Sequence, residues 1–281
     1  MWQQLNAHLY FFLLVFALMP LNWLVETFKW RNLVKQFSII SFRLSLLSVL
    51  FGLSMSLLTP YRLGELAGRL IHISKKQRIK VLYVNTFSSF SQLLLTVLAA
   101  VVVFPFYPIF MSISFGLKLT FSIITAILLL YLFFSSHFIK RIILFINQRL
   151  RFGQEVDQLN FNTAKRGSTF LLSFMRYLIF LIQFVLLVYV FETTIPLKTA
   201  IIACVAVFFV ASVVPSAWIS DLPIRSSVAF IVFEHLGYSG VIGLFSSLIL
   251  WCINLLLPAF LGLTEARKVD WLALKKLRHA E

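Results

Sequence analysis

Charged residues are scarce in this chain of 281 residues: only 12% are Asp, Glu, Lys or Arg, whereas soluble domains usually contain roughly 25%. Hydrophobic residues make up 60% of the sequence. A soluble fold of this length would leave much of that apolar surface in contact with water. The composition therefore excludes an ordinary soluble domain and predicts an integral membrane protein.

Cysteines and catalytic motifs are also few. Cys204 and Cys252 both lie in apolar segments, away from any CxxC or Cys/His spacing, so neither a disulfide framework nor a metal site is indicated. The sequence contains no GxSxG, no HExxH and no Gly-rich phosphate loop before a helix. We therefore expect no metal, no cofactor and no enzymatic activity, with an intramembrane enzyme assembled from distant helices as an alternative.

Acidic residues are outnumbered, because 10 Asp and Glu stand against 25 Lys and Arg and give a net charge of +15. The basic residues form short clusters between apolar runs and no stripe along a soluble domain, so no nucleic-acid partner is expected. Lys and Arg in short loops remain on the cytoplasmic side of a membrane. We assign to that side four clusters: Lys29, Arg31 and Lys35; Lys75, Lys76, Arg78 and Lys80; Lys140, Arg141, Arg149, Arg151, Lys165 and Arg166; and Arg267, Lys268, Lys275, Lys276 and Arg278.

Long apolar runs are plentiful, and about 20 such residues suffice to cross a bilayer as a helix. Four runs approach or exceed that length: residues 82–104, 119–138, 170–191 and 241–263. The N-terminal stretch lacks the basic region and cleavage site of a signal peptide and is predicted to be a further membrane segment. We expect one transmembrane domain, residues 1–263, followed by a basic cytoplasmic tail, residues 264–281.

Two further apolar runs, residues 44–58 and 199–214, are each followed by a proline, Pro60 and Pro215. A single crossing by the first run would place the first two basic clusters on opposite faces. A hairpin that enters from the cytoplasm, breaks at Pro60 and returns removes this conflict, because proline interrupts a helix. The same assignment of basic clusters to the cytoplasm places both ends of residues 199–238 outside, which predicts a second hairpin.

Span, hairpin and span thus occur twice, with the hairpins opening to opposite sides. The predicted fold is an all-α polytopic membrane protein with about five to seven spanning helices and two re-entrant helical hairpins that enter from opposite faces. This is the pattern of an inverted repeat, which in transporters places the substrate site at the midplane. No residue-level repeat accompanies it, and one full crossing by either run would abolish the symmetry.

Charged residues occupy both hairpins. Arg62, Glu65 and Arg69 are spaced by three and four residues, so they share one face of a helix. Two cations beside a helix N-terminus favour an anionic headgroup, whereas a Glu65–Arg69 ion pair that only orders the hairpin is the alternative.

The second hairpin carries Asp221, Pro223 and Arg225 at its tip. Pro223 suits the first turn of a helix, which would place Arg225 at another helix N-terminus. A local Asp221–Arg225 pair is the alternative to substrate binding. Arg176, within a predicted span, is interpreted as reaching the cytoplasmic headgroups.

Three segments resemble a known family. GLSMSLLTPYRLGELAGRL (residues 52–70) resembles the TPxRxGExxGR signature of the lysylphosphatidylglycerol synthase transmembrane-region family, the flippase-like module also found in the multiple peptide resistance factor. NWLVETFKWRNL (residues 22–33) resembles its NWxxExxKWRxL approach to the hairpin. VPSAWISDLPIRSSVAFIVFEHLG (residues 214–237) occupies the place of its second proline-bearing segment.

The resemblance implies the following motif positions: Pro60, Arg62, Gly64, Glu65 and Arg69 in the first hairpin, and Pro215 in the second. Ser-Ala-Trp-Ile-Ser after Pro215 replaces the family's Gly-rich PGGxG pattern, so a different second hairpin is expected. No aminoacyltransferase domain follows residue 263, so the synthase activity is expected to be absent.

Together these features predict a flippase or transporter in a bacterial cytoplasmic membrane, with its C-terminus in the cytoplasm. Its substrate would be an anionic lipid or a polyprenyl-phosphate-linked molecule. Arg62, Arg69 and Arg225 would engage phosphate, and Glu65 would orient the arginines or carry a proton. A non-transporting accessory membrane protein and an intramembrane lipid-modifying enzyme are the competing hypotheses.

Overall fold

The structure, a computed structural model, describes residues 2–59, 64–71, 73–74, 77–108, 112–135, 162–214 and 221–266. All regular secondary structure in these ranges is helical. The helices are α1 (Trp2–Val34), α2 (Phe42–Leu58), α3 (Gly64–Leu70), α4 (Arg78–Val103), α5 (Phe115–Phe134), α6 (Thr163–Phe191), α7 (Leu197–Val213), α8 (Asp221–His235), α9 (Gly240–Trp251) and α10 (Leu257–Ala266). A 3-10 turn, Phe104–Phe106, follows α4, and a π-helical turn, Cys252–Leu256, joins α9 to α10.

Five helical stretches are long and apolar enough to cross a membrane: Leu9–Val34, Arg78–Phe106, Phe115–Phe134, Thr163–Phe191 and Gly240–Leu263. They coincide with the five predicted membrane segments, which are thereby confirmed as helices. The chain is an all-α, multi-pass membrane protein.

The two shorter apolar helices each end two residues before a proline. α2 ends at Leu58 and Thr59 is extended, with φ −127° and ψ 140°. α7 ends at Val213 and Val214 is extended, with φ −73° and ψ 119°. Proline disfavours helical backbone in the residue before it, which accounts for both ends. Pro60 and Pro215 themselves lie outside the described residues.

α3 runs back along α2 in direct backbone contact. A Cβ built on Gly68 would lie 2.3 Å from Gly52 Cα, and one built on Gly64 would lie 2.0 Å from the Met55 carbonyl oxygen. Only glycine fits at such separations. The Thr59 hydroxyl accepts a hydrogen bond from the Gly64 N–H at 2.6 Å. α2 and α3 therefore form an antiparallel pair, here called the first hairpin.

The packing of α1–α4 recurs among α6–α10. α2 packs against α3 and α1, as α7 packs against α8 and α6. Between these two groups of helices, α1 packs against α6, α2 packs against α10, and α7 packs against α4. Each contact therefore has a counterpart when α1 is matched with α6, α2 with α7, α3 with α8, and α4 with α9–α10. The pair α7–α8 is therefore the counterpart of the first hairpin and is called the second hairpin.

Two apolar clusters flank the middle of α1. Val15 belongs to a buried cluster with Phe184 of α6 and Phe233 of α8, and Trp30 belongs to another with Phe133 of α5. The stretch of α1 between Val15 and Trp30 carries the buried polar residues from which the candidate site is built.

Candidate functional site

A carboxylate on α1 is the centre of a buried charge cluster. Glu26 Oε2 lies 2.8 Å from Lys29 Nζ and 2.5 Å from Arg176 Nη1, while Glu26 Oε1 lies 2.7 Å from Arg69 Nη2. Glu26 is 4% exposed, and Lys29 and Arg69 are each 2% exposed. One carboxylate thus ties together α1, α6 and the returning helix of the first hairpin.

Arg69 is shared between two carboxylates, because its Nη2 also pairs with Glu65 one turn earlier on α3. This i,i+4 pair is the local ion pair that the sequence offered as the alternative to anion binding. The Arg69 guanidinium lies 5.0 Å from the centre of the Trp30 ring. Its Nε and Nη1 are buried without a hydrogen-bond partner among the described residues. Part of this arginine's donor capacity is therefore not engaged by the described residues.

A chain of amide hydrogen bonds continues from the charge cluster. Arg176 Nε donates to Asn22 Oδ1 at 3.1 Å, Asn22 Nδ2 donates to Asn254 Oδ1 at 2.9 Å, and Asn254 Nδ2 donates to Gln183 Oε1 at 3.0 Å. Gln183 Nε2 then donates to the Val15 carbonyl at 2.9 Å. Buried amides need such partners, because an unmade hydrogen bond costs more than a made one contributes.

The π-helical turn brings Asn254 into this chain. Pro258 has no N–H to donate to the Asn254 carbonyl four residues earlier, and its ring would clash with that carbonyl in a regular helix. The turn widens instead, and the Leu257 N–H donates to the Cys252 carbonyl, five residues earlier. Such π-helical turns often occur at functional sites.

Replacing Asn254 by leucine is expected to lower the free energy of unfolding by about 1 kcal/mol, because Asn22 Nδ2 and Gln183 Oε1 would lose their partner inside the membrane. Thermal unfolding of the purified protein in detergent measures the change. Phe260→Leu is the control, since Phe260 is 60% exposed and lies on the adjoining helix. An unchanged midpoint for Asn254→Leu would show that this amide does not stabilise the fold.

A cavity of about 360 Å³ lies beside the charge cluster. Its lining includes residues of both hairpins: Glu65 and Arg69 from the first, and Phe208, Ser212 and Arg225 from the second. Ligand pockets in proteins commonly measure roughly 300–1,000 Å³. The cavity is therefore large enough for a small ligand headgroup.

Positive charge predominates in the cavity lining. Four cations, Lys29, Arg69, Arg176 and Arg225, face two carboxylates, Glu26 and Glu65, which leaves a net charge of +2 among these lining residues. Because cations are costly inside a membrane, this excess favours an anionic ligand.

The cavity lining extends to the outer surface of the helices. Leu93 on α4 and Ser212 on α7 both line the cavity, yet Leu93 is 46% exposed and Ser212 is also exposed. The cavity is thus lined in part by exposed residues of α4 and α7.

The structure brings three predicted site residues together, because Glu65, Arg69 and Arg225 line the same cavity. Pro223 is exposed and is the third residue of α8, where its missing N–H breaks no helical hydrogen bond. Asp221 is the first residue of that helix. Arg62 lies outside the described residues.

The prediction that Arg176 reaches the headgroups is wrong, because Arg176 contacts Glu26 and lines the cavity. Lys29, which the sequence groups with a cytoplasmic cluster, is buried and pairs with Glu26. A buried cation needs an anionic partner, and the partner of Arg176 lies 150 residues away in sequence. One local signal was present, since Asn22, Glu26 and Lys29 are spaced by four and three residues and so share one helix face.

No protein-family model, curated protein or solved structure matches this chain. The chemistry of the site therefore rests on its own residues.

Proposed function

We propose that this protein is a flippase or transporter in a bacterial cytoplasmic membrane, and that its substrate is an anionic lipid or a polyprenyl-phosphate-linked molecule. The observation that carries the proposal is the net positive cavity lined by both hairpins. We propose no enzymatic step, because the lining residues supply charges and hydrogen bonds for binding.

Charge supports an anionic substrate. An arginine at the centre of a membrane helix costs about 2.5–3.5 kcal/mol on insertion scales, so an excess of positive charge there is expected to have a function. The cavity lining contains four cations and two carboxylates. Phosphate oxygens accept paired hydrogen bonds from the planar donors of arginine, and Arg69 has buried donors without partners among the described residues.

The exposed part of the lining supports a lipid substrate. A headgroup could enter between α4 and α7, past Leu93 and Ser212, while its acyl or prenyl chains stay in the bilayer.

The recurrent helix packing supports alternating access. If the two hairpins are re-entrant and enter from opposite faces, the exchange of α1–α4 with α6–α10 makes an inverted repeat, with the cavity between the repeats. Arg69 would then alternate between an ion pair with Glu65 and one with the substrate phosphate. The basic tail would lie in the cytoplasm. The likeness of residues 52–70 to the signature of the lysylphosphatidylglycerol synthase transmembrane-region family agrees with this proposal.

Replacing Arg225 by glutamine is expected to slow translocation of fluorescent phosphatidylglycerol in proteoliposomes by about ten-fold or more, because a charge-assisted contact worth roughly 1.5–3 kcal/mol is lost. Dithionite quenching of the outer-leaflet label measures the rate. Lys198→Gln is the matched control, because Lys198 is exposed and lies over the Phe106 ring, away from the cavity lining.

A non-transporting accessory protein is the second candidate, and one observation favours it: Glu26 and Glu65 already satisfy part of the positive charge. On that hypothesis Arg225→Gln lowers the melting temperature and leaves lipid distribution unaltered. Wild-type protein that moves no lipid in proteoliposomes would refute the transporter proposal.

A further inference from the structure

Three side chains in the cavity lining carry buried donor atoms without a hydrogen-bond partner among the described residues. The atoms are Arg69 Nε and Nη1, Tyr177 Oη and Trp251 Nε1. Arg69 is 2% exposed and Tyr177 is 5% exposed, so both side chains lie in the interior. Buried polar groups in folded proteins nearly always have a partner. Several unpaired donors around one cavity therefore indicate a ligand that supplies the acceptors.

These atoms determine which chemical group the ligand presents. Guanidinium and indole nitrogens only donate hydrogen bonds, and a tyrosine hydroxyl can donate, so the ligand must offer acceptors. A cationic group offers none, and Lys29 and Arg176 in the same lining would repel it. The amide of Gln92, which also lines the cavity, offers its NH2 group after a half-turn. Phosphate oxygens accept hydrogen bonds and carry negative charge, so a phosphate fits both the donors and the charge.

Tyr177 is held in place by its neighbours on α6 and α7. It follows Arg176, whose side chain bonds Glu26 and Asn22 on α1. Its ring packs edge-on against Phe208 of α7, with 5.8 Å between the ring centres. Because the hydroxyl lies on the long axis of the ring, the packing of the ring also fixes the position of the hydroxyl.

Trp251 is the last residue of α9 and directly precedes the π-helical turn Cys252–Leu256. Asn254 in that turn donates a hydrogen bond to the Gln183 amide of α6. A buried hydrogen bond thus joins this part of the chain to α6. Trp251 is thereby held beside the helix that carries Tyr177.

We infer that Tyr177 and Trp251 are phosphate-binding residues of the cavity: they donate to the phosphate oxygens of the ligand from α6 and α9, while Arg69 donates from the first hairpin. Because both residues are neutral, they bind an anion without adding charge that the membrane would oppose. Neither residue lies in the three segments that resemble the lysylphosphatidylglycerol synthase transmembrane-region family. This inference rests on the proposed function and adds two donors to its site.

Tyr177→Phe removes the hydroxyl and keeps the ring. Since the hydroxyl has no partner among the described residues, the melting temperature of the empty protein should stay the same or rise. Binding should weaken, because a hydrogen bond to a charged group is lost. The concentration of dioctanoyl phosphatidylglycerol that gives half of the maximal thermal stabilisation should increase about ten-fold. Dioctanoylglycerol, which lacks the phosphate, should act equally on the variant and the wild type.

Tyr83→Phe is the matched control. The Tyr83 hydroxyl is also buried without a partner among the described residues, but Tyr83 is not part of the cavity lining, so binding should not change. Trp251→Phe tests the second donor and should also weaken binding about ten-fold, which gives an independent measurement if Tyr177→Phe does not fold. Its control is Trp23→Phe, since the Trp23 indole nitrogen is likewise buried and unpaired, outside the cavity lining.

The outcomes separate this inference from the proposed function. If neither Tyr177→Phe nor Trp251→Phe binds the lipid more weakly than its control, the inference fails, whereas translocation by the wild type would still support the flippase proposal. If both variants weaken binding but the wild type moves no lipid in proteoliposomes, the inference stands and the flippase proposal fails.

Inorganic phosphate, titrated in the same way, identifies the source of the ligand. Stabilisation by inorganic phosphate that both variants weaken would support the inference with free phosphate as the ligand. Stabilisation by the lipid alone, weakened in the same variants, would support a lipid headgroup. A wild-type protein that neither compound stabilises would overturn the inference.

Discussion

Glu26→Gln is expected to lower the free energy of unfolding by about 3–5 kcal/mol, because removing one partner of a buried ion pair leaves uncompensated charge in the interior. Lys29, Arg69 and Arg176 all lie within 2.8 Å of this carboxylate. With Glu65 included, three cations and two carboxylates become three cations and one carboxylate, so the net charge of the cluster rises from +1 to +2. The ion pairs that join α1 to α3 and to α6 are lost together.

Unfolding can be followed with a thiol-reactive dye. Cys204 is 0% exposed in the folded protein, so it reacts when α7 loses its packing. Glu192→Gln is the matched control, because Glu192 lies in the loop after α6 and accepts bonds only from the nearby Thr194 among the contacts described. We expect its midpoint to stay within about 0.5 kcal/mol of the wild type.

A second substitution makes the test specific to charge. Lys29→Met in the Glu26→Gln background removes one of the stranded cations, so the double variant should be more stable than Glu26→Gln alone. Such coupling is the signature of residues in contact. Effects that simply add, or a Glu26→Gln protein as stable as the wild type, would contradict the assignment of Glu26 as the centre of the cluster.

Gly68→Ala is the second substitution with a large expected effect. The new Cβ would lie 2.3 Å from Gly52 Cα and from Gly52 N, and both are backbone atoms. A flexible side chain could move aside, but two packed helices have to separate. Overpacking commonly costs 1–3 kcal/mol, and we expect a loss of about 3 kcal/mol here together with slower lipid translocation. Arg69, the next residue, would be displaced from Glu26.

Gly167→Ala is the matched control for this test. Gly167 lies in α6 and no atom is found within 4 Å of a Cβ built there. Alanine is favoured over glycine in a helix by roughly 1 kcal/mol, so this variant should be slightly more stable than the wild type. Thermal midpoints of both variants measure the difference. We expect the thermal midpoint to fall for Gly68→Ala and to rise slightly for Gly167→Ala. Similar shifts in both variants would show that α2 and α3 are not in backbone contact.

Local properties of the sequence determined much of the architecture. The five membrane segments follow from apolar runs long enough to cross a bilayer. The ends of α2 and α7 follow from the prolines after Thr59 and Val214, since proline acts on the residue before it. The Glu65–Arg69 pair follows from helical spacing. Each of these features depends on neighbours within a few residues.

Only the tertiary structure decided which charges on different helices meet. Arg176 lies within a predicted membrane span, and helical periodicity does not reveal a partner on another helix. The Glu26–Arg176 pair spans 150 residues and the Asn22–Asn254 bond spans 232. Such partners are selected by the packing of whole helices, because each buried polar group must be satisfied where the fold places it. The cavity and its excess of positive charge arise from that packing.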